Sequence, residues 1–278
     1  FNENERNLTF LDCIFTANIA NENGGGIFNA RSSPLVDGCV FSGNRAKNGG
    51  GLNNYNFSSP VLIECCFSSN KSSNGGDGGG VFNYFISNPV MTKCDFSRND
   101  SAGNGGGMYN LDRCSPVIDA CTFSENGAIK NGAGIFNGSY CLPVMKWCEI
   151  SGCTQAKNGA GMYNMDYSSP RLTDCVVRNN HASLNGGGVC NYNGSNPLFI
   201  NCLIVENAAS FGGGVYENAS SPIFINCTIG KNVVHDDGDE GVNTGTGLYN
   251  DAESAPRLVN CVVWSVDIDS PVHVVMDV

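Results

Sequence analysis

The chain has 278 residues, with 36 glycines, 15% charged residues and a formal net charge of −11. An acidic chain without a basic stripe has no cations to exchange for the counterions of a phosphate backbone, which excludes nucleic acid as a partner. No run of eighteen apolar residues and no signal-like stretch occurs, so neither a transmembrane segment nor a targeting peptide is expected.

From its first residues the chain repeats itself. The opening FNENERNLTFLDCIF (1–15) is in register with FNARSSPLVDGCVF (28–41). Aligned on Cys13, Cys39, Cys65, Cys94, Cys121, Cys148, Cys175, Cys202, Cys227 and Cys261, the units stand 25 to 29 residues apart, and the last step is 34. Short apolar runs punctuated by Gly, Asn, Ser and Pro, with no 3.6-residue period, describe strands joined by tight bends. A ~27-residue repeat of this kind predicts a parallel β-helix with one unit per coil.

Each unit places its residues in rows. Three positions before the ladder cysteine the side chain is apolar, from Phe10 and Val36 to Phe224 and Leu258, and two positions after it stand Phe15, Phe41, Phe67, Phe96, Phe123, Ile150, Val177, Ile204, Ile229 and Val263. These are the expected core rows. Simple alternation does not put the −3 and 0 positions on one face, so a bend must intervene, and Asn201, Asn226 and Asn260 suit a left-handed bend residue. Next comes an asparagine row, Asn18, Asn44, Asn70, Asn99, Asn126, Asn180, Asn207 and Asn232, which Cys153 interrupts. Stacked amides there are expected to satisfy backbone groups that a bend leaves unpaired. The glycine runs, such as NGGGMYN (104–110), mark corners where the chain lies against the next coil.

The pairing of GGGI or GAGI with FSGN (41–44), FSSN (67–70), FSRN (96–99) and FSEN (123–126) resembles the GGAI and FxxN repeats of chlamydial polymorphic outer membrane proteins. More broadly it is similar to the right-handed parallel β-helix repeats of bacterial surface proteins and pectate-lyase-like folds. The resemblance implies an all-β, right-handed, single-stranded parallel β-helix of about ten coils, one domain over 1–278, with 259–278 as a candidate terminal or capping coil. It also implies an adhesive passenger at an extracellular or cell-surface location.

Several constellations bear on chemistry. The fifteen cysteines form no CxxC and have no histidine beside them, so the ladder thiols read as small buried hydrophobes. Cys114 and Cys141 occupy one repeat position in successive coils, close enough for a disulfide, whereas Cys66, Cys153 and Cys190 have no evident partner. Phe28, Phe82, Tyr109, Phe136, Tyr163, Tyr216 and Tyr249 form an aromatic row after the glycines. Facing outward it is a platform for sugar rings or a partner protein; facing inward it is core.

The one acidic cluster, Asp236, Asp237, Asp239 and Glu240, with Asp251 or Glu253 from the next coil, is a candidate calcium site, a solvated loop being the alternative. His181, His235 and His273 form no recognisable dyad. The outward acids Glu64, Asp95, Glu149 and Asp174 and the basic Arg171 and Arg257 do not assemble the calcium and proton-abstraction geometry of a lyase, so no catalytic residue is assigned.

Two functions remain. One is a non-enzymatic scaffold, adhesin-like or filament-forming, that contacts a surface polysaccharide or host protein. The other is a carbohydrate-active enzyme, a lyase or glycoside hydrolase. The same three rows at both ends, Phe10, Cys13 and Phe15 against Leu258, Cys261 and Val263, permit head-to-tail self-association.

Overall fold

The computed structural model describes residues 1–4, 8–235 and 245–265. They wind into a right-handed parallel β-solenoid, as the repeat predicts. The candidate calcium residues Asp236, Asp237, Asp239 and Glu240, and the 266–278 part of the candidate terminal coil, lie outside the described residues.

The fifth coil shows the plan. Met108–Leu111 lies in a first sheet, Val117–Asp119 in a second, Thr122–Ser124 in a third and Gly127–Ala128 in a short fourth. Among the described residues the first and second sheets each hold ten strands. Register passes unchanged from coil to coil: Tyr109 pairs with Phe136, Ile118 with Met145 and Phe123 with Ile150. The longer step from Cys65 to Cys94 is absorbed at a corner, where Gly76 N donates to Ser73 O at 3.0 Å, and Cys66 still pairs with Asp95.

The predicted bend is left-handed in every coil. Asn201, Asn226 and Asn260 have φ of 51° to 54°, and Glu64, Lys93, Ala120 and Trp147, at the same position, have φ of 48° to 52°. One left-handed residue shifts the face by one position, so Ile118, Cys121 and Phe123 all point inward and are buried. The inward phenylalanines stack directly, Phe41 on Phe67, Phe67 on Phe96 and Phe96 on Phe123, with centroids 4.5 to 4.9 Å apart. That spacing is the strand spacing itself, so the core repeats with the backbone.

The ladder thiols do more than fill volume. Cys94 N donates to Cys121 Sγ (3.3 Å), and Cys121 Sγ donates to Asp119 O (3.3 Å). The same polar link recurs from Cys13 to Cys39 and from Cys227 to Cys261.

A second left-handed residue, Arg98 or Glu125 at φ 53°, turns the next side chain inward to form the predicted asparagine row. Asn99 donates from both its backbone N (2.9 Å) and its Nδ2 (3.1 Å) to Asn126 Oδ1, and Asn126 Nδ2 donates back to Phe96 O (2.8 Å). At Cys153 an amide is missing from this row. Cys153 N still finds Asn180 Oδ1 (3.0 Å), but its thiol reaches Ser151 O at 3.6 Å and Phe123 O at 3.8 Å, and burial pushes its pKa up to about 12.

A further asparagine row lies inside the first sheet. Asn29, Asn54, Asn83, Asn110, Asn137, Asn164 and Asn191 are fully buried, and from Asn29 to Asn164 each Nδ2 donates to the next Oδ1 at 2.7 to 2.9 Å. The glycine runs pack where these elements meet: a Cβ on Gly107 would stand 2.7 Å from Gly134 O and 3.0 Å from the Phe123 ring.

The environment of Cys153 matches that of its row neighbours. Gly134 faces its sulfur as Gly107 faces Asn126 and Gly161 faces Asn180. We therefore expect Cys153→Asn to raise the denaturation midpoint, by about 1 kcal/mol for each amide hydrogen bond restored. Asn126→Ala should lower it by about 2–4 kcal/mol, because Asn99 N and Phe96 O lose their partner. Urea unfolding of the two variants checks both signs.

Candidate functional site

The aromatic row Phe28, Phe82, Tyr109, Phe136, Tyr163, Tyr216 and Tyr249 takes the second position of its first-sheet strands, a position that Asn53 and Cys190 hold in two others, opposite in direction to the core. It lies outside the solenoid yet is sealed over its middle. Tyr109, Phe136 and Tyr163 are 6%, 3% and 7% exposed, and with Cys190, Leu111 and Met165 they form a second apolar cluster. The rings stack along the axis, Tyr109 on Phe136 at 4.7 Å and Phe136 on Tyr163 at 5.6 Å. Their faces are thus occupied by one another. Burial raises the phenol pKa of Tyr109 and Tyr163, and pushes that of Tyr216 up to about 12.

A different set of large side chains is open to solvent. At the corner after the first sheet two successive residues adopt left-handed φ, as at Ser139 and Tyr140 (56° and 65°) and at Asp166 and Tyr167 (53° and 63°). This throws the second side chain outward, so Tyr140 and Tyr167 are 54% and 52% exposed and stack on each other at 5.3 Å. Phe57 occupies the same corner position earlier in the stack and is also exposed. Beside this corner run the outward positions of the second sheet, where Val61, Val90, Val117 and Val144 stand in register and exposed. Leu142 joins the two lines, and Trp147 stands at the far corner with Lys146 Nζ 3.6 Å above its ring. The result is an apolar band that the valines carry along four coils and that Tyr140 and Tyr167 widen at one end, while Arg113 holds the corner position one coil before Tyr140. Reading by alternation missed it because two left-handed residues break alternation; the available signal was the 27-residue recurrence of Tyr140 and Tyr167.

Cys114 and Cys141 sit one coil apart in a row otherwise made of serines. Ser58 N donates to Ser87 Oγ (3.2 Å), Ser87 N to Cys114 Sγ (3.3 Å) and Cys141 N to Ser168 Oγ (3.0 Å). Each hydroxyl or thiol in turn bonds a carbonyl of its own coil: Ser87 to Tyr84 O (2.8 Å), Cys114 to Leu111 O (3.1 Å) and Cys141 to Gly138 O (3.0 Å). Both cysteines are buried free thiols here, in the role that serine fills elsewhere.

The acids weighed for catalysis are engaged across coils. Glu64 pairs with Lys93 (3.1 Å) and Glu149 with Arg178 (2.8 Å), while Asp95 accepts from Ser97 and Thr122 and Asp174 from Asn201. Such exposed pairs contribute about 0–1 kcal/mol each. Asp251, considered for calcium, accepts from Asn218 Nδ2 (2.8 Å), Ala219 N (3.0 Å) and Ser254 Oγ (2.6 Å), capping its own corner. Among the described residues no group of three or more His, Cys, Asp or Glu side chains is arranged for a metal ion.

His181 and His235, two coils apart, meet with ring centroids 4.3 Å apart, a contact the isolated histidines did not reveal. Burial, and then His181, lower the pKa of His235. An open depression of about 380 Å³ lies near the first coils, lined by Ile19, Glu22, Arg45, Ser73 and their neighbours, and Glu22 in its wall pairs with Lys47 (3.4 Å).

If Cys114 and Cys141 remain thiols in solution, the double variant Cys114→Ser/Cys141→Ser should unfold within about 1 kcal/mol of the parent, since serine already serves this row. A disulfide in solution would instead make the double variant weaker by about 2–4 kcal/mol under oxidising conditions and equal under reducing ones. Thermal unfolding with and without reductant separates the two.

The sequence matches the family described as a right-handed beta helix region over residues 1–177 and again over 130–270. No curated protein and no solved structure matches it. With coil geometry and family match in agreement over nearly the whole chain, this protein belongs to the right-handed β-helix family.

Proposed function

We propose that the chain is a non-enzymatic extracellular or cell-surface scaffold, an adhesin-like passenger or filament-forming subunit, whose contact surface is the exposed apolar band. The observation that carries this reading is the band itself. Tyr140, Leu142, Val144 and Tyr167 lie open on two adjacent coils, and Val61, Val90 and Val117 lead up to them on the three coils before, although the fold has core rows to bury such side chains. Contiguous apolar surface of this kind marks interaction sites on soluble proteins. Because its rows recur at the strand spacing of about 4.8 Å, the band suits an extended partner such as a surface polysaccharide or a segment of a host protein. The likeness of the repeats to those of chlamydial polymorphic outer membrane proteins supports a surface passenger.

End-to-end stacking is the filament form of the same reading. The three inward rows that hold Phe10, Cys13 and Phe15 in one coil hold Leu258, Cys261 and Val263 in another, so such coils offer matching rows to each other. A contact between unlike ends does not close on itself and so can propagate.

Tyr140→Lys with Val144→Lys should leave the unfolding midpoint within about 0.5 kcal/mol, because both side chains are exposed. The same change should abolish retention of the chain on cell monolayers and on immobilised neutral polysaccharide. Undiminished retention would remove the band from the function. Release of reducing or unsaturated ends from a polysaccharide panel, lost on heat denaturation, would replace the scaffold with a carbohydrate-active enzyme. Electron microscopy at high protein concentration reads the filament form directly.

A further inference from the structure

Residue 217 is a glutamate where every earlier coil, from Asn2 to Asn191, places an asparagine in the inner row of the first sheet. That row carries its hydrogen bonds in one direction. Each Nδ2 donates to the residue one coil further on, and the last such bond runs from Asn191 Nδ2 to Glu217 Oε1 at 2.9 Å. Glu217 is 0% exposed, and its Oε2 has no hydrogen-bond partner. Register places Asn250 one coil on, where each previous step of the row finds its acceptor, yet Asn250 is exposed. The titratable groups that act electrostatically with Glu217 are the Cys190 thiol, on the outer face of the preceding strand, and the Asp251 carboxylate just beyond the following one. Neither supplies a positive charge.

An amide accepts at one atom and donates at the other. A protonated carboxyl does the same, whereas a carboxylate only accepts. Glu217 can therefore continue the row in its neutral form and must end it when ionised. The last described coil is also seated less regularly than the others: where the strand Val262–Ser265 joins the third sheet, register shifts between Gly230 and Asn232.

We propose that Glu217 is a proton-operated latch for the coil Gly245–Ser265. Protonated, it donates from Oε2 to the Asn250 side chain and completes the row; when it loses the proton to solvent, the buried carboxylate has no donor at Oε2 and the coil separates from the stack. The latch acts on coil docking whichever function the outer surface serves.

The direction of the pH response follows from the site. Burial raises the Glu217 pKa well above the usual carboxylate value, the Asn191 hydrogen bond draws it part of the way back, and Asp251 raises it again. An unfolded glutamate titrates near about 4.3. Docking is thus fully stabilised below that pH and weakens as pH climbs through the raised folded value.

The chain has two tryptophans, Trp147 at an exposed corner and Trp264 in the latched coil. The test uses the full chain carrying Trp147→Phe, with Trp264 emission and amide hydrogen exchange followed from about pH 4 to about pH 9. On raising pH, Trp264 emission should shift to the red, and protection of 245–265 should fall about tenfold or more beyond the intrinsic pH effect while the central coils hold theirs. Adding Glu217→Gln, which donates and accepts at every pH, should flatten both curves. Should that variant fail to fold, Glu217→Asn, the row's own residue, is measured in the same way. An unchanged transition in the variant, or no transition in its parent, overturns the latch.

Discussion

Turning the chain inward at a corner brings backbone N–H and C=O groups into a place that water does not reach, and each such group must find a partner. In this solenoid the partner is most often the neighbouring coil, and a polar side chain of the same corner takes the carbonyls that remain. Asn126 Oδ1 takes two donors from Asn99, and Asn126 Nδ2 closes onto Phe96 O. Cysteine and serine rows perform the same service at two further corners, through Cys121 and Ser87. One buried polar side chain per corner thus fixes the corner and the stacking of coils together. The flat phenylalanine stack inside, at 4.5 to 4.9 Å, is possible because those corners hold the coils at constant spacing.

This constraint explains which parts of the structure were legible in the sequence. The rows at −3, 0 and +2 about the cysteine could be placed because each is apolar in every coil. The left-handed bend could be inferred from Asn201, Asn226 and Asn260, residues that tolerate positive φ. That Lys93, Ala120 and Trp147 adopt the same φ carries no residue-type signal, and the stack imposes it there. The inner row from Asn29 to Asn191 escaped notice because polar residues are ordinarily assigned to the outside. Alternation places it inside, since Ile27 and Asn29 share a face of their strand.

The candidate surface was less legible for a related reason. Sequence alternation left Tyr109, Phe136 and Tyr163 either outward or core, and they turned out to be outward and sealed by mutual stacking, a property of ring spacing rather than of residue order. The open side chains Tyr140, Leu142 and Tyr167 lie at corners whose paired left-handed residues disrupt any period-two reading. The His181–His235 contact spans two coils, a relation visible only once the coils are stacked.

A solenoid in which each coil touches only its neighbours separates stability from function to an unusual degree. Outward rows can change without disturbing the ladders, as the exchange of valine for Arg171 in the second sheet shows. Inward rows cannot, because a substituted ladder residue must still both accept and donate. Among the described residues Cys153 and Glu217 are where an inner amide row departs from asparagine, and they depart in opposite ways. Cys153 replaces an amide with a weak sulfur partner whose raised pKa keeps it neutral, so the row loses strength there without gaining sensitivity to pH. Glu217 preserves the hydrogen-bonding capacity of the amide only while it holds a proton. The first substitution weakens a joint between two coils; the second makes a joint conditional, and it falls at the junction with the last described coil, where separation leaves every earlier ladder intact.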